Sequence, residues 1–129
     1  MWLQKFLDVI SAYFPPSGIP VGIEEALARL NPDKFYIENV RSILGVSHKR
    51  ALQICESAVR QGLISRKVEV LCPDGSVAAS AAVEAELPSI VTCWHQEAGH
   101  YEEVQLSTGP LVKVPFYQLN DTTPAVLYR

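Results

Sequence analysis

The chain of 129 residues has 11 basic and 14 acidic side chains, a formal net charge of −3, and 48% hydrophobic residues. This balance is typical of a globular protein and excludes a disordered chain, and the length corresponds to one domain or two very small modules. Three cysteines are too few for a secreted scaffold held together by disulfides. The sequence lacks an apolar run of about 18 residues, which a membrane span requires, and its first residues lack the pattern of a secretion signal. We therefore expect a cytoplasmic protein.

The charge and the hydrophobic pattern both change along the chain. Residues 1–71 have nine Lys and Arg against seven Asp and Glu, whereas residues 72–129 have two against seven. Helical periodicity dominates the first part and strand-like alternation the second, which predicts an α+β fold. We predict two modules: residues 1–83 with the helices and a hairpin, and residues 84–129 with a small antiparallel β module.

The first predicted helix, residues 2–14, is unusually apolar. Eight of its thirteen residues are large and apolar, and they cover more than one narrow stripe of the helix. Such a face either caps the core or contacts a second copy or a larger partner subunit. The apolar residues 124–128 are suited to a partner's groove or sheet edge. On this basis the candidate interface residues are Trp2, Phe6, Ile10, Tyr13, Leu127 and Tyr128.

Three further helices are predicted before the first strand. After a short helix over residues 22–30, apolar residues at helical spacing predict a helix over residues 36–44 and a longer one over residues 48–61. Gly45, between the last two, suits a helix end that needs positive φ. Ser47 suits the N-cap of the longer helix, because its hydroxyl can accept from a backbone N–H two or three residues later.

Two segments carry a family resemblance. They are Ile43-Leu44-Gly45-Val46-Ser47, which joins two helices, and Gly62-Leu63-Ile64, which leads from the longer helix into a predicted hairpin. In this order and spacing they resemble the winged helix-turn-helix superfamily, over roughly residues 22–83. The resemblance implies that the helix over residues 48–61 is a recognition helix whose polar side enters the major groove of duplex DNA.

The side chains that this resemblance would bring to DNA lie on the polar side of the longer helix and beside it. Arg and Lys can contact guanine or phosphate, and Gln can pair with adenine. The candidates are Arg41, His48, Lys49, Arg50, Gln53, Ser57, Arg60, Arg66 and Lys67. Glu56 interrupts this set and the whole chain is acidic, so we prefer a solvated or protein-contacting face and place DNA binding second.

Two of the three cysteines lie in segments that resemble the knuckles of a zinc ribbon. These are Cys72-Pro73-Asp74-Gly75 and Cys93-Trp94-His95-Gln96, each with one cysteine where a ribbon has two. We therefore expect a ribbon-like module that has lost its metal, with thiols packed as small apolar side chains. The weaker alternative is a metal site formed by Cys72, Cys93, His95 and His100. A cytoplasmic setting argues against a disulfide between the two cysteines.

A winged helix followed by a ribbon-like module resembles small accessory proteins of bacterial multigene systems, including conflict and defence systems. The resemblance implies a non-enzymatic adaptor or assembly subunit of a multiprotein complex, with a larger subunit or a second copy as partner and no cofactor. The alternative is a sequence-specific DNA-binding transcriptional regulator. Phosphate-binding loops and common catalytic motifs are missing from the sequence, so we expect neither an enzyme nor a small-molecule substrate.

Overall fold

A computed structural model describes residues 2–15 and 18–120, except for the side chain of Trp2. This part contains four α-helices and five strands, which confirms an α+β fold. The helices are α1 (Trp2–Ser11), α2 (Ile23–Ala28), α3 (Ile37–Leu44) and α4 (His48–Arg60), and the strands are β1 (Ile64–Leu71), β2 (Val77–Ala81), β3 (Ile90–His95), β4 (His100–Gln105) and β5 (Val112–Leu119). Crossing a membrane needs a longer and more apolar helix than any found in these residues.

The strands form two small antiparallel sheets. One has the order β2-β1-β5, and the other consists of β3 and β4 alone. The sequence predicted that the last strand belongs with the β3–β4 region in one C-terminal module, but β5 pairs with β1 instead. At its end Tyr117 exchanges two backbone hydrogen bonds with Phe35, of 2.8 and 2.9 Å, and joins the core formed by the helices. Burial of this aromatic side chain explains why β5 leaves the C-terminal region.

The chain divides into two compact units. Within the described residues we call them the helical unit, which has residues 2–15, 18–65 and 117–120, and the β unit, which has residues 66–116. The chain passes between the units within β1 and again within β5, rather than at the predicted boundary between residues 83 and 84. The difference follows from the strand order, because β5 carries the chain back to the helices.

The core of the helical unit contains the side of α1 that the sequence offered as an interface. The side chains of Phe6 and Ile10 are 0% exposed and pack in one cluster with buried residues of the other three helices. Both are therefore core residues, and their assignment to an interface is wrong. Tyr13 is half-buried against the same cluster. The side chain of Trp2, together with Leu127 and Tyr128, lies outside the described residues.

The core of the β unit is much smaller and contains a disulfide. Cys72, Cys93 and Val91 are its buried apolar centre, with a few half-buried neighbours such as Val104. Cys72 and Cys93 are bonded to each other, with their Cα atoms 5.7 Å apart. The expectation of two reduced thiols is wrong: a module with so little apolar surface to bury gains from a covalent cross-link. Cys55 is buried in α4 and is not part of this disulfide.

The turn between β1 and β2 has its own hydrogen bonds. The carboxylate Oδ1 of Asp74 accepts from the backbone N–H of Ser76 at 3.0 Å and from its hydroxyl at 2.6 Å. These bonds favour the charged form and lower the pKa of Asp74. Gly75 has φ of +90°, a backbone conformation that suits glycine, and its N–H donates to the carbonyl of Cys72. The turn therefore holds Cys72 at the end of β1.

Replacing Phe6 by alanine tests the core assignment of α1. We expect Phe6→Ala to lower the free energy of unfolding by about 3–5 kcal/mol, because it leaves a cavity in a filled core. Urea denaturation followed by circular dichroism measures this change. Val21→Ala is the control, since Val21 is fully exposed, and it should change stability by less than about 0.5 kcal/mol. Equal stability of the two variants would show that Phe6 is not in the core.

Counting thiols tests the disulfide directly. The chain has three cysteines, so protein unfolded without reductant should react with one equivalent of a thiol reagent and reduced protein with three. The cross-link joins residues 21 apart, for which chain entropy predicts a stabilisation of about 3 kcal/mol. Three reactive thiols in purified, unreduced protein would contradict the bond.

Candidate nucleic-acid interface

The turn between α3 and α4 sets the direction of α4. The N–H of Gly45 donates to the carbonyl of Arg41 at 2.9 Å, and Gly45 itself has the left-handed conformation, with φ of 66°. Two residues later the Ser47 hydroxyl accepts from the backbone N–H of Arg50 at 3.1 Å. The predicted helix end at Gly45 and the predicted N-cap at Ser47 are both confirmed. Three non-helical residues therefore separate the two helices.

One side of α4 is buried and fixes which side faces solvent. Ala51, Ile54 and Ala58 are each 0% exposed within the helical core, as the apolar periodicity predicted. Leu52 on the same helix is apolar but exposed. At 100° per residue it points away from the centre of the buried strip, so an apolar side chain on α4 is not always a buried one.

The exposed side of α4 carries cations at both ends. Lys49 lies in the first turn and Arg60 in the last, with Gln53 between them, and all three are exposed. Lys49 and Arg60 make no ion pair with any residue that the structure describes. Arg60 comes eleven positions after Lys49, which separates the two cations by about 16 Å along the helix axis. Both charges therefore remain available to an anionic partner.

Glu56, the acid expected to interrupt this surface, is bonded to a core residue. The Tyr117 hydroxyl donates to its Oε2 at 3.2 Å in a partly buried contact. This bond occupies one carboxylate oxygen. The bond orients the carboxylate but leaves its negative charge, so Glu56 still offsets part of the positive charge of Arg50 and Arg60, with which it lines one groove.

Two other sequence candidates share an acidic partner. Arg41 Nη1 lies 3.3 Å from Glu38 Oε2, and His48 Nδ1 lies 3.4 Å from Glu38 Oε1. All three side chains are well exposed, so each pair contributes little to stability. The carboxylate nevertheless offsets the positive charge at the start of α4, which makes Arg41 and His48 weaker candidates than Lys49.

Arg50 and Gln53 are connected to the residues after α1. The Arg50 guanidinium lies 5.7 Å from the centre of the Tyr13 ring, a cation–π arrangement. The Tyr13 hydroxyl donates to the backbone carbonyl of Gln53 at 3.4 Å. Tyr13, which the sequence offered as a contact to another chain, therefore contacts α4 of its own chain. Helical periodicity alone does not reveal this contact, because 37 residues separate Tyr13 from Arg50.

The remaining candidates divide between the units. The half-buried Ser57 accepts a hydrogen bond from the Gln61 amide at 3.2 Å, on the same helix. Arg66 and Lys67 belong to the β unit, where they line a groove together with Lys113 and Glu84. Lys113 and Glu84 form an ion pair of 3.4 Å there. The structure thus brings the helical candidates together on α4 and assigns Arg66 and Lys67 to the other unit.

The alternative metal site is contradicted by the disulfide. With their sulfurs bonded to each other, Cys72 and Cys93 cannot supply thiolates. His95 and His100 are cross-strand neighbours, but the Nδ1 of His95 accepts from the backbone N–H of Ala98 at 3.0 Å. Groups of three or more potential ligands are absent from residues 2–15 and 18–120.

Ser47→Ala tests whether the cap holds α4 in place. Loss of the hydroxyl leaves the Arg50 N–H without its partner and should cost about 1 kcal/mol of unfolding free energy. Ser42→Ala is the matched control, because Ser42 is exposed within α3, where alanine is the better helix former. Thermal unfolding should show a lower midpoint for Ser47→Ala alone. The cap assignment is wrong if the two variants have the same midpoint of thermal unfolding.

The comparisons with known proteins identify no relative of this chain. No family model, no curated protein and no solved structure matches the chain. The functional argument therefore depends on the surfaces of the two units themselves.

Proposed function

We propose that the chain is a winged-helix protein that binds duplex DNA through the exposed side of α4, as a DNA-binding regulator does. One observation carries the proposal: Lys49 and Arg60 are exposed at the two ends of α4, and neither is paired within the described residues. A rotation of 100° per residue brings the two cations to within about 20° of each other around the helix, about 16 Å apart along its axis. A helix that lies in the major groove therefore turns both cations towards the same duplex, where they suit phosphates, and Gln53 between them suits a base.

Arg50 has a different place in this proposal. Its guanidinium is held at the Tyr13 ring, so its position at the start of α4 is restrained before DNA arrives. A side chain fixed in advance loses less entropy on binding. Guanine O6 and N7, or a phosphate, are the acceptors that suit a guanidinium. Arg50 therefore contributes to the register of α4 on the duplex.

We place DNA binding before an adaptor role, the reverse of the preference from the sequence, for two reasons. The apolar α1, which favoured an adaptor, has its central residues Phe6 and Ile10 in the core. The acidity that disfavoured DNA is concentrated in residues 66–116, which have three basic and seven acidic side chains, whereas the rest of the chain has eight and seven. The part of the sequence outside residues 66–116, which includes α4, is thus slightly basic.

An adaptor role remains the second candidate because of a different surface. The β unit exposes several large apolar side chains, among them Trp94 and Tyr101, which are 40% and 67% exposed. Exposed aromatic side chains close together are typical of protein-binding surfaces. A non-enzymatic adaptor would use this surface rather than α1.

The double variant Lys49→Ala/Arg60→Ala tests DNA binding. Fluorescence anisotropy with a labelled duplex should show affinity at low salt reduced by about tenfold or more. The slope of log affinity against log salt should become shallower by about 2, because two phosphate contacts are lost. The loss should be similar for duplexes of unrelated sequence, since phosphates carry no sequence information.

The charge-matched control is Lys5→Ala/Arg29→Ala, which removes two exposed cations from α1 and the end of α2. It should leave both affinity and salt slope close to those of the wild type. Equal losses in the two double variants would mean that only net charge matters and that α4 is not the interface. A wild-type chain that is folded but binds no duplex at low salt would remove the proposal altogether.

A further inference from the structure

We propose that one face of the β3–β4 hairpin docks a Lys- or Arg-bearing segment of a partner protein. This hairpin face consists of Ile90, Thr92 and Trp94 on β3 and Tyr101, Glu103 and Gln105 on β4. The proposal deepens the adaptor function, on which it rests, and is independent of DNA binding by α4.

The strand register brings these six residues to one face. Trp94 lies opposite Tyr101, Thr92 opposite Glu103, and Ile90 opposite Gln105. Side chains alternate along a strand, so the intervening Val91 and Cys93 point to the other face, where both are buried. All six residues of the hairpin face are exposed. The small core of the β unit therefore occupies one side of the hairpin and leaves the other side uncovered within the described residues.

Two aromatic rings form the centre of the hairpin face. Trp94 and Tyr101 meet edge to face, with ring centres 5.0 Å apart and planes 74° apart. This contact restrains both rings in an exposed position. An indole face is the best aromatic surface for a cation, and a guanidinium or ammonium group binds it within about 6 Å of the ring centre. The rings are thus a suitable contact for the side chain of Arg or Lys.

The acidic side chains of the β unit favour a positively charged partner. Residues 68–112 contain seven Asp and Glu and not one Lys or Arg. Glu103 is on the hairpin face itself, and it also lines a groove of about 360 Å³ beside Trp94 and Gln105. Acidic side chains repel the phosphates of nucleic acids and anionic lipids, whereas they attract a basic segment of protein. The groove and the rings therefore favour the same cationic occupant.

The experiment uses the full chain and a defined probe. The probe is a fluorescein-labelled peptide of alternating Arg and Gly, compared with peptides in which Gln or Glu replaces Arg. Anisotropy should show binding of the Arg peptide and much weaker binding of the other two. Trp94→Ala and Glu103→Gln should each weaken it by about two- to fivefold, as expected for an exposed cation–π contact or ion pair.

Matched variants elsewhere in the β unit separate the hairpin face from general acidity. Val112→Ala removes another exposed apolar side chain, and Glu86→Gln removes another exposed acid. Both should bind the Arg peptide like the wild type. Equal weakening by Glu86→Gln and Glu103→Gln would show diffuse attraction and overturn the proposal.

Trp94 emission, measured in a Trp2→Phe background, distinguishes the remaining outcomes. A shift on adding the Arg peptide supports docking at the hairpin face. If the Gln or Glu peptide causes the same shift, the adaptor function stands and the cationic partner is wrong. A shift on diluting the protein alone would mean that a second copy covers the face, which also overturns the proposal. If no peptide and no dilution shifts the emission, docking and the adaptor function fail together, while DNA binding by α4 is unaffected.

Discussion

Burial of one side of α4 in the helical core is the interaction on which the account of the candidate interface depends. Ala51, Ile54 and Ala58 are small or medium apolar side chains that pack in the same cluster as Phe6 and Ile10 of α1. Because a helix has a fixed rotation of 100° per residue, fixing the buried strip also fixes the opposite side. The buried side of α4 therefore determines which residues face solvent, and these include Lys49, Gln53 and Arg60.

The end of β5 adds a second constraint to the same helix. Tyr117 is paired with Phe35 through two backbone hydrogen bonds, and its hydroxyl binds Glu56. A residue far along the chain thus completes the helical core and orients the one acid on the exposed side of α4. The β unit has less apolar surface to bury and is cross-linked through Cys72 and Cys93 instead. The two units therefore reach stability by different means, and they present surfaces of opposite character.

Local features of the structure were predictable from the sequence, and contacts between distant residues were not. Gly45 and Ser47 act on backbone groups within a few residues, so their roles as helix end and N-cap follow from residue type alone. Helical spacing also identified an apolar side of α1. Periodicity cannot say whether the rest of the chain or a partner protein covers that side, and the assignment of Phe6 to an interface is wrong. The pairing of β5 with β1, the disulfide and the Tyr13–Arg50 contact each join residues more than 20 positions apart. The exposed pair Trp94 and Tyr101 was missed because it depends on the register of the hairpin.

Chemical-shift mapping of the full chain with duplex DNA tests the central claim most directly. On addition of a short duplex at low salt, the backbone amide signals of residues 48–60 should shift, together with those near Tyr13, while the signals of residues 90–105 stay in place. Shifts that avoid α4, or that concentrate in the acidic hairpin, would contradict the account.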